Sequence, residues 1–217
     1  MNIDELILYA EGGNVQAQFD LGLRYADGDG VERDCDKAIM WLRMAAEQGH
    51  TWAQFKLGTS YDGGDCVAVD YEEAVKWYRM AAEQGNVLAQ YNLALCYAEG
   101  NGVEQDFIEE ARWFRMAAEQ GEFQAQYCLG VCYANGEGVE QSFEEAVKWY
   151  RMSAEQGYDC AQYNLGLCYV YGDGVEHNYD EAVKWLSLAA EHENSDAKRL
   201  LERLNEIVSD KYKENGC

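Results

Sequence analysis

Residues 86–121 read NVLAQYNLALCYAEGNGVEQDFIEEARWFRMAAEQG, and residues 122–157 read EFQAQYCLGVCYANGEGVEQSFEEAVKWYRMSAEQG. Both stretches are 36 residues long and carry most of their alanines, tyrosines, tryptophans and glycines at matching offsets. The same period runs through the chain, with tryptophan at Trp41, Trp77, Trp113, Trp149 and Trp185, and tyrosine at Tyr25, Tyr61, Tyr97, Tyr133 and Tyr169. A period of about 20–50 residues indicates a stack of identical supersecondary units.

Each repeat contains two predicted helices joined by a glycine-containing turn. First helices are expected to start near Asn14, His50, Asn86, Glu122 and Tyr158. Second helices start at residues that can accept a hydrogen bond from a backbone N–H, namely Asp34, Asp70, Asp106, Ser142 and Asn178. A glutamate three residues later (Glu73, Glu109, Glu145 and Glu181) predicts a reciprocal capping box. The second helices are expected to end at Gly49, Gly85, Gly121 and Gly157.

Charged side chains on the second helices predict a solvated face. Acidic and basic residues stand four positions apart in the favourable order, at Glu72–Lys76, Glu144–Lys148 and Asp180–Lys184. Pairs of this kind each contribute about 0.2–0.5 kcal/mol on a helix surface. We therefore expect three i,i+4 ion pairs there.

This pattern resembles the Sel1-like repeat family, α-solenoid relatives of the tetratricopeptide repeat. The matching residues read Ala-x-x-x-Leu-Gly-x-x-Tyr-x-x-Gly-x-Gly-Val, then Ala-x-x-Trp, then Ala-Ala-Glu-x-Gly, in repeats at 14–49, 50–85, 86–121, 122–157 and 158–193. The resemblance implies an all-α fold, a right-handed superhelix of about five helix-turn-helix repeats forming one solenoid over residues 1–217. We expect a cap at residues 1–13 and a C-terminal capping helix at 194–217. The family resemblance implies a scaffold or adaptor that binds proteins, with no common enzymatic activity.

The charge balance excludes two classes of partner. The chain has 217 residues, with 40 acidic and 17 basic side chains and a formal net charge of −23. Nucleic acid and anionic membrane surfaces both require a basic footprint on the protein, so neither is an expected partner. A basic protein or peptide is expected instead. The start of the sequence lacks a basic leader and a long apolar stretch, which predicts a cytoplasmic protein whose eight cysteines are mainly thiols.

No catalytic residue, metal ligand or cofactor is predicted. The three histidines, His50, His177 and His192, fall at a helix start, in a loop and at a helix end of different repeats. Stacked repeats lie about 18–20 Å apart if each helix layer adds 8–10 Å. The spacing therefore does not predict a shared site for these side chains.

The cysteines leave an alternative open. Cys96, Cys132 and Cys168 occupy equivalent positions, which favours buried packing, while a soft-metal or redox site is the alternative. Cys35 stands where other repeats have tyrosine or phenylalanine, so packing is expected for it too. Cys66 replaces the second glycine of its turn, which predicts a different backbone between Gly63 and Val69.

By analogy with tetratricopeptide arrays, the partner is expected to bind a concave surface lined by first helices. The candidate residues vary where core positions are constant: Arg24, Trp52, Lys56, Leu88, Asn92, Gln124 and Asn164. Trp52 is the main candidate anchor, because the repeat does not require an aromatic residue there. A lid over a neighbouring helix end is the alternative for its ring.

The leading hypothesis is a monomeric, acidic scaffold or adaptor, in a sharper form an inhibitor or immunity protein. The alternatives are a thiol-rich soft-metal or redox binder and a hydrolase. The hydrolase hypothesis comes from the β-lactamase-like activity proposed for cysteine-rich relatives. Those relatives are secreted and pair two cysteines within each repeat, a regular pairing that this sequence lacks.

Overall fold

The structure, a computed structural model, describes the backbone of residues 2–214 and the side chains of residues 2–206. Met1 and residues 215–217 of the predicted caps lie outside the described residues. Within residues 2–214 the chain forms twelve α-helices: α1 (Ile3–Glu11), α2 (Val15–Asp27), α3 (Cys35–Glu47), α4 (Thr51–Gly63), α5 (Tyr71–Glu83), α6 (Val87–Glu99), α7 (Phe107–Glu119), α8 (Phe123–Asn135), α9 (Phe143–Glu155), α10 (Asp159–Tyr171), α11 (Tyr179–Glu191) and α12 (Ser195–Glu214). The all-α repeat fold predicted from the sequence is confirmed.

The helix boundaries follow the predicted caps. Each of the ten helices from α2 to α11 has 13 residues. Asn14, His50, Asn86 and Glu122 each accept a hydrogen bond from the backbone three residues later, whereas Tyr158 caps α10 without a side-chain bond. The glycines that follow the second helices have positive φ angles, from 87° to 95° at Gly49, Gly85, Gly121 and Gly157.

Only one of the two predicted capping-box hydrogen bonds forms at the second helix of the second repeat. The side chain of Asp70 accepts from the N–H of Glu73 at 3.0 Å, but the N–H of Asp70 donates to the carbonyl of Tyr61 at 2.9 Å. The glutamate is therefore not needed at the cap, and it binds Lys76 at 2.6 Å instead. The prediction of i,i+4 ion pairs is wrong. Because the cap does not use the glutamate, each lysine binds the glutamate three residues before it, in Glu73–Lys76, Glu145–Lys148 and Glu181–Lys184.

The chain divides into two compact units, Met1–Met116 and Ala117–Cys217. In the first unit, each helix from α1 to α6 packs on the next one along the chain. In the second unit, α8 to α12 pack in the same sequential way. The repeat leucines are fully buried in both units, at Leu21, Leu57 and Leu93 and at Leu129 and Leu165. Four of the five repeated tryptophans, Trp41, Trp77, Trp113 and Trp185, are buried as well and belong to the core.

Close helix packing explains the glycine next to the repeat leucine. A Cβ on Gly58 of α4 would lie 2.4 Å from Cδ1 of Tyr78 of α5. The Tyr78 ring is fully buried, and its hydroxyl donates to the carboxylate of Asp62 at 3.1 Å. The absence of a side chain at position 58 therefore sets the distance between the two helices of the repeat.

The turn between two helices of one repeat passes over the start of the second helix of the preceding repeat. A Cβ on Gly102 would lie 2.1 Å from the carbonyl oxygen of Tyr71, and a Cβ on Gly174 would lie 2.2 Å from that of Phe143. Both glycines have φ near 70°. The glycine thus allows the turn to touch the preceding repeat.

Cys66 corrects two expectations. Its φ of 66° matches that of the glycines at equivalent positions, so the turn keeps the repeat backbone instead of the different one that was expected. Its sulfur is bonded to that of Cys35, with the two Cα atoms 4.8 Å apart. The expectation that Cys35 serves packing and that the cysteines form no disulfide is therefore wrong for this pair. The two departures from the repeat lie opposite each other, because the turn of one repeat covers the helix start of the preceding one.

Candidate functional site

The predicted partner-binding residues fall on first helices in both units. The first unit holds Arg24 on α2, Trp52 and Lys56 on α4, and Leu88 and Asn92 on α6, while the second holds Gln124 on α8 and Asn164 on α10. Five of the seven residues therefore share the first unit, and two of them, Trp52 and Leu88, line one recess.

This recess, the Trp52–Leu88 recess, opens where α4 and α6 begin. It has a volume of about 620 Å³ and is lined by Gly49, His50, Thr51, Trp52, Gln84, Gly85, Asn86, Val87 and Leu88. Trp52 is 53% exposed and Leu88 is 41% exposed, so both present large apolar surfaces to it. The edge of the Trp52 ring lies against Phe55, with ring centroids 6.0 Å apart, so the indole is supported from one side.

A network of polar side chains stiffens the recess. Gln84 donates to the side-chain oxygen of Gln54 at 2.6 Å, and Gln54 donates to the carbonyl of Ala46 at 3.0 Å. Thr51 in turn donates to the side-chain oxygen of Gln84 at 2.9 Å. These bonds join α3, α4 and α5, so the helix ends around the recess are held in place before any partner binds.

His50 has a structural role at the rim of the recess. Its Nδ1 accepts from the N–H of Ala53 at 3.1 Å, which places the ring proton on Nε2, where it donates to Gln16 at 3.2 Å. The ring stacks on Phe19, with centroids 4.5 Å apart. Burial lowers the pKa of His50 below its usual value. Both ring nitrogens are engaged, so the geometry does not present His50 as a general base.

The two predicted cations lack the ion pairs that other basic side chains of the first unit form. Arg24 and Lys56 form no ion pair with any side chain of residues 2–206, whereas Arg33 binds Asp65 at 3.0 Å and Lys37 binds Asp34 at 3.0 Å. Arg24 lines a recess of about 390 Å³ together with Leu6, Leu23 and three carboxylates, those of Asp20, Asp27 and Asp29. The cations are available to an anionic group in an otherwise acidic surface.

The two predicted asparagines lie beside tyrosine side chains. Asn92 of α6 lies close to the hydroxyl of Tyr78 of α5 in the first unit. Asn164 of α10 lies close to the hydroxyls of Tyr127 of α8 and Tyr150 of α9 in the second unit. Their amides therefore contribute to packing between helices as well as lining the surface. Gln124 is half-buried at the start of α8.

The free cysteines lie in surroundings that disfavour the thiolate. Burial raises the pKa of Cys96 to about 12 and that of Cys168 to about 11. Burial also raises the pKa of Cys160, with Asp159 adding to the effect. Among the described residues, no group of three or more His, Cys, Asp or Glu side chains is arranged to hold a metal ion.

Two repeated contacts between neighbouring helices were not predicted from the sequence. An arginine on one second helix donates to a tyrosine hydroxyl on the next first helix, in Arg43–Tyr61, Arg79–Tyr97 and Arg151–Tyr169. A buried glutamine on each first helix donates to an alanine carbonyl eight residues earlier, at Gln18, Gln54, Gln90, Gln126 and Gln162. The signal was present, since both residue types recur every 36 residues.

None of the helices within residues 2–214 has the length and hydropathy that a membrane-spanning segment needs. No curated protein matches the chain significantly.

Solved structures with the same repeats resemble the chain. A Sel1 repeat protein from Oxalobacter formigenes is 38% identical, with a TM-score of 0.80, over 83% of this chain and 74% of its own length. A protective antigen of uropathogenic Escherichia coli strains, which displays an SLR fold, is 36% identical, with a TM-score of 0.60, over 93% of this chain and 51% of its own. The chain thus spans about half of that antigen.

The fold is also shared by a sel1 repeat protein from Klebsiella pneumoniae, which is 23% identical over 93% of this chain and 98% of its own, with a TM-score of 0.52. The family model described as Sel1 repeat matches residues 15–50, 53–86, 87–122, 123–158 and 161–194. These five matches coincide with the five pairs of helices, and together they cover most of the sequence. The chain therefore belongs to the Sel1 repeat family.

Proposed function

We propose that this chain is a non-enzymatic scaffold or adaptor that binds a partner protein or peptide through the Trp52–Leu88 recess. Sel1 repeat proteins are protein-interaction scaffolds, which gives the general role. The exposure of Trp52 carries the specific proposal, because 53% of this residue is accessible at a position where the other repeats have Gln16, Leu88, Gln124 and Cys160. Tryptophan is enriched among the residues that dominate binding energy, so an apolar side chain of the partner inserted beside Trp52 is the expected anchor.

The acidity of the first unit supports a basic partner. The recess beside Arg24 contains the carboxylates of Asp20, Asp27 and Asp29, and a smaller one of about 240 Å³ contains those of Asp62 and Glu99. A basic segment that places an apolar residue in the Trp52–Leu88 recess meets this negative potential along the first helices. Attraction of this kind raises the association rate and weakens as salt is added.

In this proposal, Lys56 and Arg24 fix the position of the bound segment along the surface. Both cations lack an ion pair within the described part of the chain, so each is available to a carboxylate of the partner. A basic segment that carries single acidic residues at matching positions fits better than a uniformly basic one. Asn92, Gln124 and Asn164 are proposed to contribute hydrogen bonds to the partner's backbone.

In its sharper form the proposal makes the chain an inhibitor or immunity protein, monomeric until it binds a basic surface of a partner enzyme. We place this activity in the cytoplasm. Apart from the Cys35–Cys66 pair, Cys96, Cys160 and Cys168 are free thiols, which is typical of proteins from a reducing compartment.

The test uses a variant that replaces both apolar side chains with a polar residue found at the same position in two other repeats. Trp52→Gln combined with Leu88→Gln places at both positions the residue found at Gln16 and Gln124. We expect the wild-type chain to capture a partner from cell lysate in about 50 mM NaCl and to release it in about 500 mM NaCl, as a contact driven by opposite charges does. Titration calorimetry with the isolated partner is expected to show at least a tenfold loss of affinity for the double variant, about 1.4 kcal/mol.

Ile108→Glu is the matched control, because Ile108 is 69% exposed elsewhere in the first unit and its equivalents are Glu72 and Glu144. This control removes a large exposed apolar side chain without touching the recess, so affinity is expected to stay within twofold. Equal affinity of the wild-type chain and the double variant, with unchanged helical circular dichroism, contradicts the placement of the site. Turnover of a small molecule that a single substitution abolishes would favour the hydrolase alternative.

A further inference from the structure

Two departures from the repeat coincide at one contact in the first unit. Elsewhere a glycine of the turn lies against the backbone of an aromatic residue, as Gly102 does against Tyr71. At the preceding contact the aromatic residue is replaced by Cys35 and the glycine by Cys66, and their sulfurs are bonded. A covalent bond therefore takes the place of a noncovalent contact between repeats.

The surroundings of this bond differ from those of a buried structural disulfide. Cys35 and Cys66 are both half-buried, so a small molecule can approach their sulfurs. One guanidinium nitrogen of Arg33 lies 3.8 Å from the Cys66 sulfur and 3.0 Å from the Asp65 carboxylate. Cys35 is the first residue of α3, where the unpaired N–H groups of a helix favour negative charge. Cationic groups and helix N-termini both stabilise a cysteine thiolate.

We propose that Cys35 and Cys66 form a thiol–disulfide exchange site whose co-substrate is a small soluble thiol of the glutathione class. The thiolate of the first soluble thiol attacks the Cys35 sulfur, the disulfide breaks, and its electron pair stays on Cys66, beside Arg33. A second soluble thiolate attacks the mixed disulfide and releases Cys35. The soluble thiols are oxidised to their disulfide, and the two cysteines take up the two protons that those thiols lost.

Exchange at this site changes how the turn is held. When oxidised, the bond fixes the turn at residues 64–70 to the start of α3. When reduced, that turn keeps its backbone bonds, Asp65 to Ser60 at 3.1 Å and Asp70 to Tyr61 at 2.9 Å, but loses the covalent link. Reduction therefore loosens the contact between the first two repeats while leaving the helices intact.

The first experiment measures the redox state of the full chain. The protein is equilibrated in buffers of reduced and oxidised glutathione, its thiols are alkylated, and peptides are assigned by mass spectrometry. We expect the fraction of the linked Cys35–Cys66 peptide to follow the glutathione ratio in the native protein. A pair that is never linked under oxidising conditions overturns the proposal, and so does a link that glutathione reduces only after denaturation.

The second experiment tests the role of Arg33. Arg33 also donates to the carbonyl of Ala26 at 2.9 Å, and Gln105 and Gln141, its equivalents in other repeats, make the corresponding bonds at 2.6 and 2.8 Å. Arg33→Gln thus keeps this bond and removes the charge beside Cys66 together with the ion pair to Asp65. The rate of native-state reduction by glutathione is expected to fall on the order of fivefold. An unchanged rate contradicts the assigned leaving group.

The third experiment measures the effect on stability, with a variant that restores the repeat. Cys35→Tyr with Cys66→Gly reproduces the residues of the next contact, Tyr71 and Gly102. Reductant is expected to lower the thermal midpoint of the wild-type chain by on the order of 5–10 °C and to leave that of the restored variant unchanged. If reductant lowers the thermal midpoint of both proteins equally, the Cys35–Cys66 bond does not stabilise the fold, because the loss of stability then comes from another cysteine.

Discussion

At the scale of single residues, the arginine–tyrosine bond is a recurring contact between one repeat and the next. Arg79 of α5 donates to the hydroxyl of Tyr97 of α6 at 2.7 Å, and Arg43 donates to Tyr61 of α4 at 2.6 Å. The guanidinium carbon of Arg79 also lies 5.8 Å from the centre of the Tyr97 ring. A hydrogen bond from a charged donor is worth more than a neutral one, so each pair adds to cohesion between repeats.

Removing one hydroxyl tests this contact. Tyr97→Phe deletes the acceptor of Arg79 and keeps the ring, so we expect the free energy of unfolding to fall by about 1–2 kcal/mol in urea denaturation. Tyr25→Phe is the control, because the residue 18 positions before Tyr25 is Ile7, which has no hydrogen bond to give. A control loss as large as that of Tyr97→Phe would show that the effect comes from removing any tyrosine hydroxyl and not from the bond to arginine.

Cysteine reactivity gives a second residue-scale prediction. Burial, assisted by Asp62 and Glu99, raises the pKa of Cys96 to about 12. At pH 8 only about one thiol in ten thousand is then ionised, so the native protein is expected to leave Cys96 unmodified by iodoacetamide while the denatured protein reacts. Peptide mass spectrometry measures both states. Rapid native modification of Cys96 contradicts the buried placement.

The raised pKa of Cys96 predicts that the free energy of unfolding falls at high pH. The thiol of Cys96 has an ordinary pKa near 9.0 in the unfolded chain and a higher one in the folded chain. The folded state therefore holds its proton more tightly above pH 9. The contribution of Cys96 to the free energy of unfolding is full below that pH and is lost as pH rises toward 12.

At the scale of helices, the distance between partners is set by small residues. The Gly58 position faces the Tyr78 ring so closely that a methyl group there would overlap it, at 2.4 Å. The third repeat has Ala94 and Phe114 at the equivalent positions, both buried. The third repeat thus accommodates the methyl group of Ala94, and its ring, Phe114, lacks the hydroxyl through which Tyr78 binds Asp62.

Gly58→Ala is expected to destabilise the chain by about 1–3 kcal/mol in urea denaturation, because the overlap must push α4 and α5 apart. Adding Tyr78→Phe reproduces the combination of the third repeat and is expected to recover part of the loss. Gly63→Ala is the matched control: nothing lies within 4 Å of its Cβ, so stability should stay equal or rise by up to about 1 kcal/mol. Equal losses at positions 58 and 63 would contradict the overlap.

Helix boundaries were predictable because their signals are local. The cap at Asp70 and the glycine at Gly85 act within a few residues, so the sequence alone specifies them. The partner of Glu73 was not predictable from its spacing alone, because the N–H of Asp70 is already used by Tyr61 of the preceding helix. The Cys35–Cys66 bond required knowing which turn covers which helix start, a contact 31 residues apart.

The candidate site was predictable only in part. The exposure of Trp52 follows from its departure from the repeat, and this is what the sequence showed. The position of Asn92 beside the Tyr78 hydroxyl does not follow, because it depends on how closely α5 and α6 pack. Variation along a repeat thus identifies surface positions, whereas only coordinates show which of these side chains lie beside polar groups of the protein itself.

At the scale of the whole molecule, the charge of −23 acts against the folded state. Six ion pairs join side chains three positions apart along the chain, and another, Arg33–Asp65, is also exposed. Exposed pairs of this kind each contribute about 0–1 kcal/mol. They do not offset the mutual repulsion of so many carboxylates, which is strongest when salt is low.

The thermal midpoint is therefore expected to rise by a few degrees between about 20 mM and 300 mM NaCl, since the distance over which charges interact falls from about 20 Å to 6 Å. Calorimetry at fixed pH measures this shift, and choline chloride should give the same result if screening is the cause. Replacing the exposed loop carboxylates with Glu104→Gln and Glu140→Gln is expected to raise the low-salt midpoint and to reduce the salt effect. A midpoint that falls as salt is added would show instead that the exposed ion pairs outweigh the net repulsion.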